Sequence, residues 1–150
     1  MLEYDFEQSI GYWLITAAHA YQRAVQDEVA PHGITFRQCQ VLGYLALEGP
    51  LSQTDLAERM GIEPPTLVGI LDRMARDGWI DRVCCETDRR KNLIRPTAAA
   101  EPVWSHIAAC GRRVRQRATL GLSDDELEVL KQLLLTVQQN LSAKVTEEVA

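Results

Sequence analysis

The stretch Glu63 to Thr97 reads EPPTLVGILDRMARDGWIDRVCCETDRRKNLIRPT, and it decides the fold of this chain. It opens with prolines, where the first-turn amides of a helix have no partner, and then places Leu67, Leu71 and Met74 at helical spacing. Gly78 is typical of a helix end. The remainder consists of two short extended runs, WIDRVCC and NLIRPT, around the polar sequence ETDRRK. The stretch therefore predicts a helix followed by a β-hairpin with a basic tip.

Three further helices are predicted upstream. The segment SQTDLAERMG is capped by Ser52 and stops at Gly61, and only a short turn separates it from the helix that follows. These two helices together predict a helix-turn-helix. Before them, FEQSIGYWLITAAHAYQRAVQDEVAPHG predicts a long first helix. TFRQCQVLGYLALEG predicts a second helix, which opens with Thr35 and Gln38 in the relation of a capping box.

Two more helices are predicted after the hairpin. The first extends to about Leu120, and Pro102 indicates that its regular part starts there rather than at Thr97. The last helix opens with a second capping box, formed by Ser123 and Glu126. Its apolar residues repeat at three- and four-residue steps, a seam too long for a helix that packs only on a small core. The seam consists of Leu127, Leu130, Leu134, Val137, Leu141 and Val145.

The charge of the chain is unevenly distributed. The 150 residues carry a net charge of −5, which by itself argues against a nucleic-acid partner. Residues 82–95, however, hold five basic and two acidic residues, a local charge of +3. Local potential matters more than the total for attracting a polyanion, so the basic hairpin remains a candidate site for nucleic acid.

The cysteines and the hydropathy pattern bear on the cellular compartment in which the protein is expected to act. Cys39, Cys84, Cys85 and Cys110 show neither the spacing nor the density of a disulfide scaffold. No apolar segment approaches the length of a signal sequence or of a membrane span. We therefore expect a cytoplasmic protein of one domain, without a membrane partner.

A helix-turn-helix followed directly by a charged hairpin is a winged helix, and this chain resembles the MarR family of transcriptional regulators along nearly its whole length. The stretch GIEPPTLVGILDRMARDGWIDRVCCETDRRKNLIRPTAAAEP is most similar to the SlyA branch of that family. The motif DRR stands nine residues before Thr97, as the family pattern requires. The implied fold is mostly helical with a small β-hairpin wing.

The resemblance implies a homodimer that binds double-stranded DNA at a pseudo-palindromic operator. Residues 34–97 would form the winged helix-turn-helix lobe that contacts DNA, and residues 1–33 and 98–150 would supply the dimerisation helices. The wing tip would lie along the DNA backbone and insert an arginine into the minor groove. In this interpretation Asp88 pairs with Arg90 to hold the shape of the tip.

The implied DNA contacts fall in three places. Ser52 and Gln53, at the start of the third helix, would contact phosphates. The second helix of the helix-turn-helix would be the recognition helix, the one that enters the major groove. It departs from the family pattern, because Val68 and Gly69 stand where relatives commonly carry a polar residue and an arginine. Glu86 and Thr87 likewise replace a common arginine before the tip, which leaves open which wing arginine enters the groove. The complete predicted set is Ser52, Gln53, Pro65, Thr66, Val68, Gly69, Arg73, Thr87, Arg89, Arg90 and Lys91.

Other functions find weaker support in the sequence. The three histidines are scattered, and no nucleophile elbow, phosphate-binding glycine loop or HExxH motif is present, so neither catalysis nor a cofactor is expected. His106 and Cys110 are four residues apart on one helix and could share a metal ion with other ligands, but one such pair is a weak signal because a zinc site usually needs four ligands, and an ordinary helix surface with a buried thiol explains them better. Cys84 and Cys85 stand beside basic residues, which lower a thiol pKa, so a redox-responsive or metal-responsive regulator of the same fold is the alternative.

We prefer the interpretation that a small molecule controls the protein, on the basis of aromatic and basic residues in and near the first two helices. In the family that this chain resembles, aromatic carboxylates and phenols bind between the dimer helices and the DNA-binding lobe. Most of the corresponding side chains here are aromatic or basic and one is a cysteine, although aromatics at helical spacing are more often ordinary core residues. The candidates are Trp13, Tyr21, Arg23, His32, Phe36 and Cys39, and the implied effector is a small aromatic acid.

Overall fold

The computed structural model describes residues 3–143, and this part of the chain contains six α-helices and a three-stranded sheet. The mostly helical winged helix-turn-helix that the sequence predicts is confirmed. The helices are α1 (Ile10–Val29), α2 (Phe36–Glu48), α3 (Gln53–Met60), α4 (Pro64–Arg76), α5 (Ala100–Ala118) and α6 (Asp124–Ser142). The strands are β1 (Leu51–Ser52), β2 (Ile80–Cys84) and β3 (Asn92–Pro96).

The predicted capping box fixes the start of α2. The backbone N–H of Gln38 donates to Thr35 Oγ1 at 3.2 Å, and the backbone N–H of Thr35 donates to Gln38 Oε1 at 2.9 Å. These bonds satisfy two amides that the first turn of a helix leaves without partners. The backbone N–H of Phe36 donates in addition to Gln26 Oε1 of α1 at 2.8 Å, so the start of α2 is attached to α1.

The core of the winged helix is built from the apolar faces of α2, α3 and α4 and from one side of the sheet. Leu56, Leu67, Leu71 and Met74 have no exposed surface, and Ile94 of β3 is 1% exposed. Burying side chains of this size stabilises the fold by roughly 1.5–3 kcal/mol each. The helical spacing of the three α4 residues therefore fixes which face of α4 remains on the surface.

The sheet contains one strand more than the sequence predicts. β3 pairs antiparallel with β2 along the hairpin and, on its other edge, with β1, where Leu51 lies opposite Ile94. A strand of two residues has no periodicity from which it could be predicted, and it exists only because β3 supplies its hydrogen-bonding partners.

The predicted start of α5 at Pro102 is wrong by two residues, because the helix begins at Ala100. Proline lacks an N–H, but the first-turn amides of a helix have no helical partners, so Pro102 is tolerated inside the first turn. None of the helices in residues 3–143 has the length and apolar character needed to cross a membrane.

The chain divides into two compact units, residues 1–114 and residues 115–150. In the second unit, α6 begins with the predicted capping box of Ser123 and Glu126. No residue of α6 is buried, and the leucines of its predicted seam include Leu134 at 44% and Leu141 at 80% exposure. Val145, the last residue of that seam, lies outside the described residues.

Candidate nucleic-acid interface

Helix α4 presents a surface face opposite its buried one. The residues on the exposed face are small, polar or basic, and they include every α4 residue that the sequence predicts to contact DNA. Those residues are Pro65, Thr66, Val68, Gly69 and Arg73, and all are exposed. Sequence reasoning missed Arg76, which is also exposed and lies three residues after Arg73, one turn further along the same side of the helix.

Gly69 lies in the middle of this exposed face and has no packing role that requires glycine. A Cβ atom at position 69 would meet no heavy atom within 4 Å outside its own stretch of helix. Glycine inside a helix costs about 1 kcal/mol relative to alanine. Glycine at position 69 therefore reduces the stability of α4 and improves no contact within the protein. This favours a role for Gly69 in contact with another molecule.

An ion pair joins α4 to the wing. Arg82 Nη2 of β2 lies 2.8 Å from Asp72 Oδ1, and both side chains are largely exposed. Neither residue was among the predicted site residues, because they are ten positions apart and lie on different elements. The pair ties the helix that would contact base pairs to the strand that carries the wing tip.

The wing tip, residues 85–91, is held by hydrogen bonds of its own. The backbone N–H of Cys85 donates to the carbonyl of Lys91 at 2.9 Å, and the N–H of Lys91 donates to the carbonyl of Asp88 at 2.9 Å. Asp88 Oδ1 accepts the backbone N–H of Arg90 at 3.0 Å. The contact between Asp88 and Arg90 thus involves the main chain of Arg90, which leaves the guanidinium of Arg90 available for another partner.

Three cations of the wing remain for an external anion. Arg95 forms a two-pronged ion pair with Asp81, at 2.8 and 3.0 Å, and Arg82 is paired with Asp72. The pair with Arg95 lowers the pKa of Asp81 below its usual value, chiefly through the hydrogen bond. The other three basic residues are exposed, and none forms an ion pair within residues 3–143. They are Arg89, Arg90 and Lys91, all at the tip.

Cys85 lies at the base of the tip in contact with Thr87. Its Sγ is 3.1 Å from Thr87 Oγ1, and this hydrogen bond, followed by bonds from the backbone amides of Thr87 and Asp88, lowers the pKa of the Cys85 thiol. The Thr87 hydroxyl, predicted to contact DNA, is therefore already engaged inside the tip. Cys84 is exposed, and its Sγ contacts Asn92 Oδ1 at 3.9 Å.

Ser52 caps α3, and this use of its hydroxyl limits the predicted contact of Ser52 with a DNA phosphate. Its hydroxyl donates to Asp55 Oδ2 at 2.7 Å and accepts the backbone N–H of Asp55 at 3.1 Å. The hydrogen bond from Ser52 is the main reason why the pKa of Asp55 lies below its usual value. A phosphate at this helix start would meet the backbone amides near Gln53 more readily than the Ser52 hydroxyl.

Comparison with known proteins agrees with this geometry. A sequence model described as the MarR family matches residues 32–91, which contain the helix-turn-helix and the wing tip. This match covers most of the winged-helix part of the chain. A crystal structure of the transcriptional regulator PA3341 is 26% identical to the chain, with a TM-score of 0.82, and the match covers 89% of this chain and 98% of that one.

Two further solved structures are similar in fold. A mutant MarR from E. coli complexed with operator DNA is 23% identical, with a TM-score of 0.75, and the match covers 85% of this chain and 92% of that one. BpsR of Bordetella bronchiseptica is 22% identical, with a TM-score of 0.77 and coverage of 91% and 98%. The structure of BpsR concerns the regulation of its DNA binding by 6-hydroxynicotinic acid.

Two cavities adjoin the winged helix or the start of α1, and of the six predicted ligand residues only Trp13 lines either of them. A cavity of about 320 Å³ lies next to α2 and α5 and is lined by none of the six. A more open one, of about 800 Å³, is lined by Trp13 together with Phe6, Glu7, Gln8 and Tyr12. Of the remaining five, Tyr21, Arg23 and His32 are exposed, Phe36 is half-buried and Cys39 is buried. Burial is also the main reason why the pKa of Cys39 rises to about 11.

His106 and Cys110, the residues considered for a metal site, each contact other groups of the protein. Cys110 is buried, donates from Sγ to the carbonyl of Glu28 at 3.4 Å and accepts a hydrogen bond from Arg113 at 3.2 Å. The ring of His106 instead lies 4.6 Å, centroid to centroid, from that of His32. Within residues 3–143, no three His, Cys, Asp or Glu side chains are grouped to hold a metal ion.

Proposed function

We propose that this protein is a DNA-binding transcriptional regulator of the MarR type. The observation that carries the proposal is the combination of an exposed α4 face with a wing tip whose three cations have no ion-pair partner in the described residues. Exposed arginine and lysine side chains on a loop held by hydrogen bonds match the requirements of contact with DNA phosphates. The MarR family match over residues 32–91 supports the same function.

In the proposed complex the chain acts as a homodimer of the SlyA type. Two copies of α4 would enter successive major grooves of a pseudo-palindromic operator, with centres about 34–36 Å apart. The wing tips would lie in the flanking minor grooves. Residues 34–97 serve in this proposal as the DNA-binding lobe, and residues 1–33 and 98–150 supply the dimer contacts. The exposed leucines of α6 support the assignment, since an apolar helix face without a partner is unfavourable in water.

Control of DNA binding by a small aromatic acid belongs to the proposal. The similarity in fold to BpsR, whose DNA binding is described as regulated by 6-hydroxynicotinic acid, supports an effector of this size. Trp13, Tyr21, Arg23 and His32 are the polar and aromatic candidates that remain accessible for it. An effector that binds two arrangements of the dimer with different affinity would change operator affinity, and operator DNA would change effector affinity by the same factor.

A second candidate is a regulator that responds to oxidants or electrophiles. Cys85 favours it, because its thiol pKa is lowered by donors within the tip that carries the DNA-contacting cations. A lower pKa increases the fraction of the nucleophilic thiolate. Modification at this position would add bulk beside Thr87, inside the tip.

Selection of bound genomic fragments, followed by footprinting, tests the proposed function. We expect a protected pseudo-palindrome with two half-sites one helical turn apart and minor-groove protection outside them. Adding salicylate, peroxide or zinc to the same complex then separates the classes of effector. Binding with no preferred fragment, or protection of one half-site by a monomer, would contradict the proposal.

A further inference from the structure

The segment before α1 and the first half of α1 contribute nothing to the described core. No residue between 3 and 24 is buried, and the first buried residue of α1 is Val25. The exposed fraction of the side chain is 66% for Tyr4 and 58% for Phe6. Exposed apolar side chains that lie together on a folded protein mark a site of contact with another molecule.

The aromatic side chains of this region hold one another in place. The ring centroids of Tyr4 and Phe6 are 4.8 Å apart, those of Phe6 and Tyr12 are 6.0 Å apart, and both pairs meet edge to face. The Tyr4 hydroxyl donates in addition to Ser9 Oγ at 3.1 Å. A surface that already has its shape loses little conformational freedom when a partner binds to it.

Residues 3–7, which we call the acidic segment, read EYDFE and alternate acids with aromatics. Glu3, Asp5 and Glu7 are exposed, and none of them forms an ion pair within the described range of the chain. Asp5 Oδ1 accepts only a backbone hydrogen bond, from Gln8 at 3.3 Å. Carboxylates beside aromatic rings suit arginine, because a guanidinium pairs with carboxylates and stacks on aromatic faces.

The second half of α5 carries the complementary charge. Residues 112–117 hold four arginines and no acidic residue. Arg113 is engaged, since its Nε lies 2.8 Å from Glu28 Oε2. Arg112 and Arg115 are exposed, and neither forms an ion pair among residues 3–143. Because they are three residues apart on one helix, their side chains lie on the same side of α5.

We infer that the acidic segment of one copy of this chain binds Arg112 and Arg115 of a second copy. Asp5 and Glu7 would pair with the two guanidinium groups, and the rings of Tyr4 and Phe6 would lie beside them. In a symmetric dimer each copy offers both surfaces, so the contact forms twice. The inference rests on the homodimer of the proposed function and names a contact that its exposed leucines do not supply.

Two observations favour a second copy as the occupant. The chain itself presents both halves of a charge-complementary pair, and neither half is neutralised by an ion pair within the part that the structure describes. The arginines also lie on the helix that directly precedes α6, whose exposed leucines are the proposed dimer contact. Ion pairs of this kind select the partner as well as stabilise it, because a subunit with like charges at these positions is repelled.

Charge reversal on either side tests the contact. Asp5→Lys with Glu7→Lys, and separately Arg112→Glu with Arg115→Glu, should each raise the dimer dissociation constant at least about tenfold at low salt. An exposed ion pair contributes about two- to fivefold, and each reversed dimer loses four of them. Sedimentation equilibrium of the full-length proteins gives the constants. In about 1 M salt, where the Debye length is about 3 Å, the differences should shrink.

Mixing the two reversed variants gives the decisive measurement. One variant supplies lysines and the other supplies glutamates, so both contacts of a mixed dimer are attractive and both contacts of either homodimer are repulsive. We expect a mixed dimer with about the wild-type dissociation constant, identified by its mass in native mass spectrometry. A chain that carries all four substitutions should likewise dimerise with itself. A variant that had merely lost its fold would not be restored by mixing.

Glu58→Lys with Asp77→Lys is the matched control, because it makes the same change in net charge at two exposed positions of the winged helix. It should leave assembly unchanged. If the wild-type protein is a dimer and a reversed variant assembles equally well, or if the mixture is not restored, the contact is rejected while the homodimer stands. A monomeric wild-type protein would instead contradict the homodimer of the proposed function.

Discussion

Arg82 Nη2 and Asp72 Oδ1 are 2.8 Å apart, and this ion pair joins β2 of the wing to α4. The recognition helix and the wing must hold a fixed geometry if they contact adjacent grooves of one DNA site. The ion pair and the hydrogen bonds of Thr97 to Gly78 and Trp79 contribute polar contacts between these two elements.

A double-mutant cycle measures the coupling between these two residues. Arg82→Gln and Asp72→Asn should each lower the free energy of unfolding slightly, with a coupling energy of at most about 1 kcal/mol because both side chains are exposed. The coupling should shrink in about 1 M salt, where the Debye length falls to about 3 Å. Urea unfolding at low and high salt gives the measurement, and Arg73→Gln is a control from the same helix without an ion pair in the described residues. Coupling that is equally strong at both salt concentrations would argue against an electrostatic link.

The wing tip should contribute affinity more than sequence preference. Arg89→Ala and Lys91→Ala should each flatten the log–log salt dependence of operator binding by about 0.9 for every phosphate contact that the substitution removes. Arg90→Ala should behave in the same way, because Asp88 holds the backbone amide of Arg90 rather than its side chain. Asp88→Ala is expected to loosen the tip instead. An Arg89→Ala protein with unchanged affinity and salt slope would remove the tip from the interface.

Gly69→Ala tests whether glycine at this position allows close contact with DNA or has no role in binding. The added methyl group meets open space, so α4 should become more stable by up to about 1 kcal/mol, measured by urea unfolding. If the helix backbone approaches DNA closely at this position, operator affinity should fall despite the gain in stability. Gly43→Ala in α2, where a Cβ atom also meets nothing within 4 Å, is the matched control and should not affect DNA binding. Equal operator affinity of wild type and Gly69→Ala would exclude close approach there.

The exposed leucines of α6 should be required for assembly. Leu134→Asp places a charge in the apolar seam, and burying an unpaired charge at a subunit contact is costly enough to prevent it from forming. Sedimentation should show a monomer, and Leu141→Asp should act in the same direction. Gln132→Asp, a substitution of a polar residue on the same helix, is expected to leave the assembly intact. A dimeric Leu134→Asp protein that still binds its operator would exclude α6 as the dimer contact.

The thiol of Cys85 should react at lower pH than an ordinary cysteine. A lowered pKa means that the thiolate is present at lower pH in the folded protein than in the unfolded chain. The midpoint of alkylation by iodoacetamide, measured against pH, should therefore lie lower for Cys85 in the folded protein than for a cysteine in an unstructured peptide. Thr87→Val removes the strongest donor and should shift the midpoint upward. Cys39, which is buried with a pKa of about 11, should remain unmodified until the protein unfolds. A midpoint that is the same with and without Thr87 would contradict this account.

The amino-acid sequence by itself determined the order of the helices, both capping boxes and the hairpin with its basic tip. These features are local, because an i, i+3 capping pair or a run of apolar residues at helical spacing acts within one element. The buried face of α4 follows from the spacing of Leu67, Leu71 and Met74. The exposed face that carries Gly69 and Arg73 follows from the same spacing, since it is the opposite side of the helix.

Only the tertiary structure decided which charged and polar groups remain available. The sequence contains five basic residues between positions 82 and 95, but in the folded chain Arg82 forms an ion pair with Asp72 and Arg95 with Asp81. It also uses the Ser52 hydroxyl to cap α3. The cavity next to α2 and α5 and the strand β1 arise in the same way, from segments that are distant along the chain. Such contacts depend on how the elements pack against one another, so they cannot be predicted from the periodicity of apolar residues within one element.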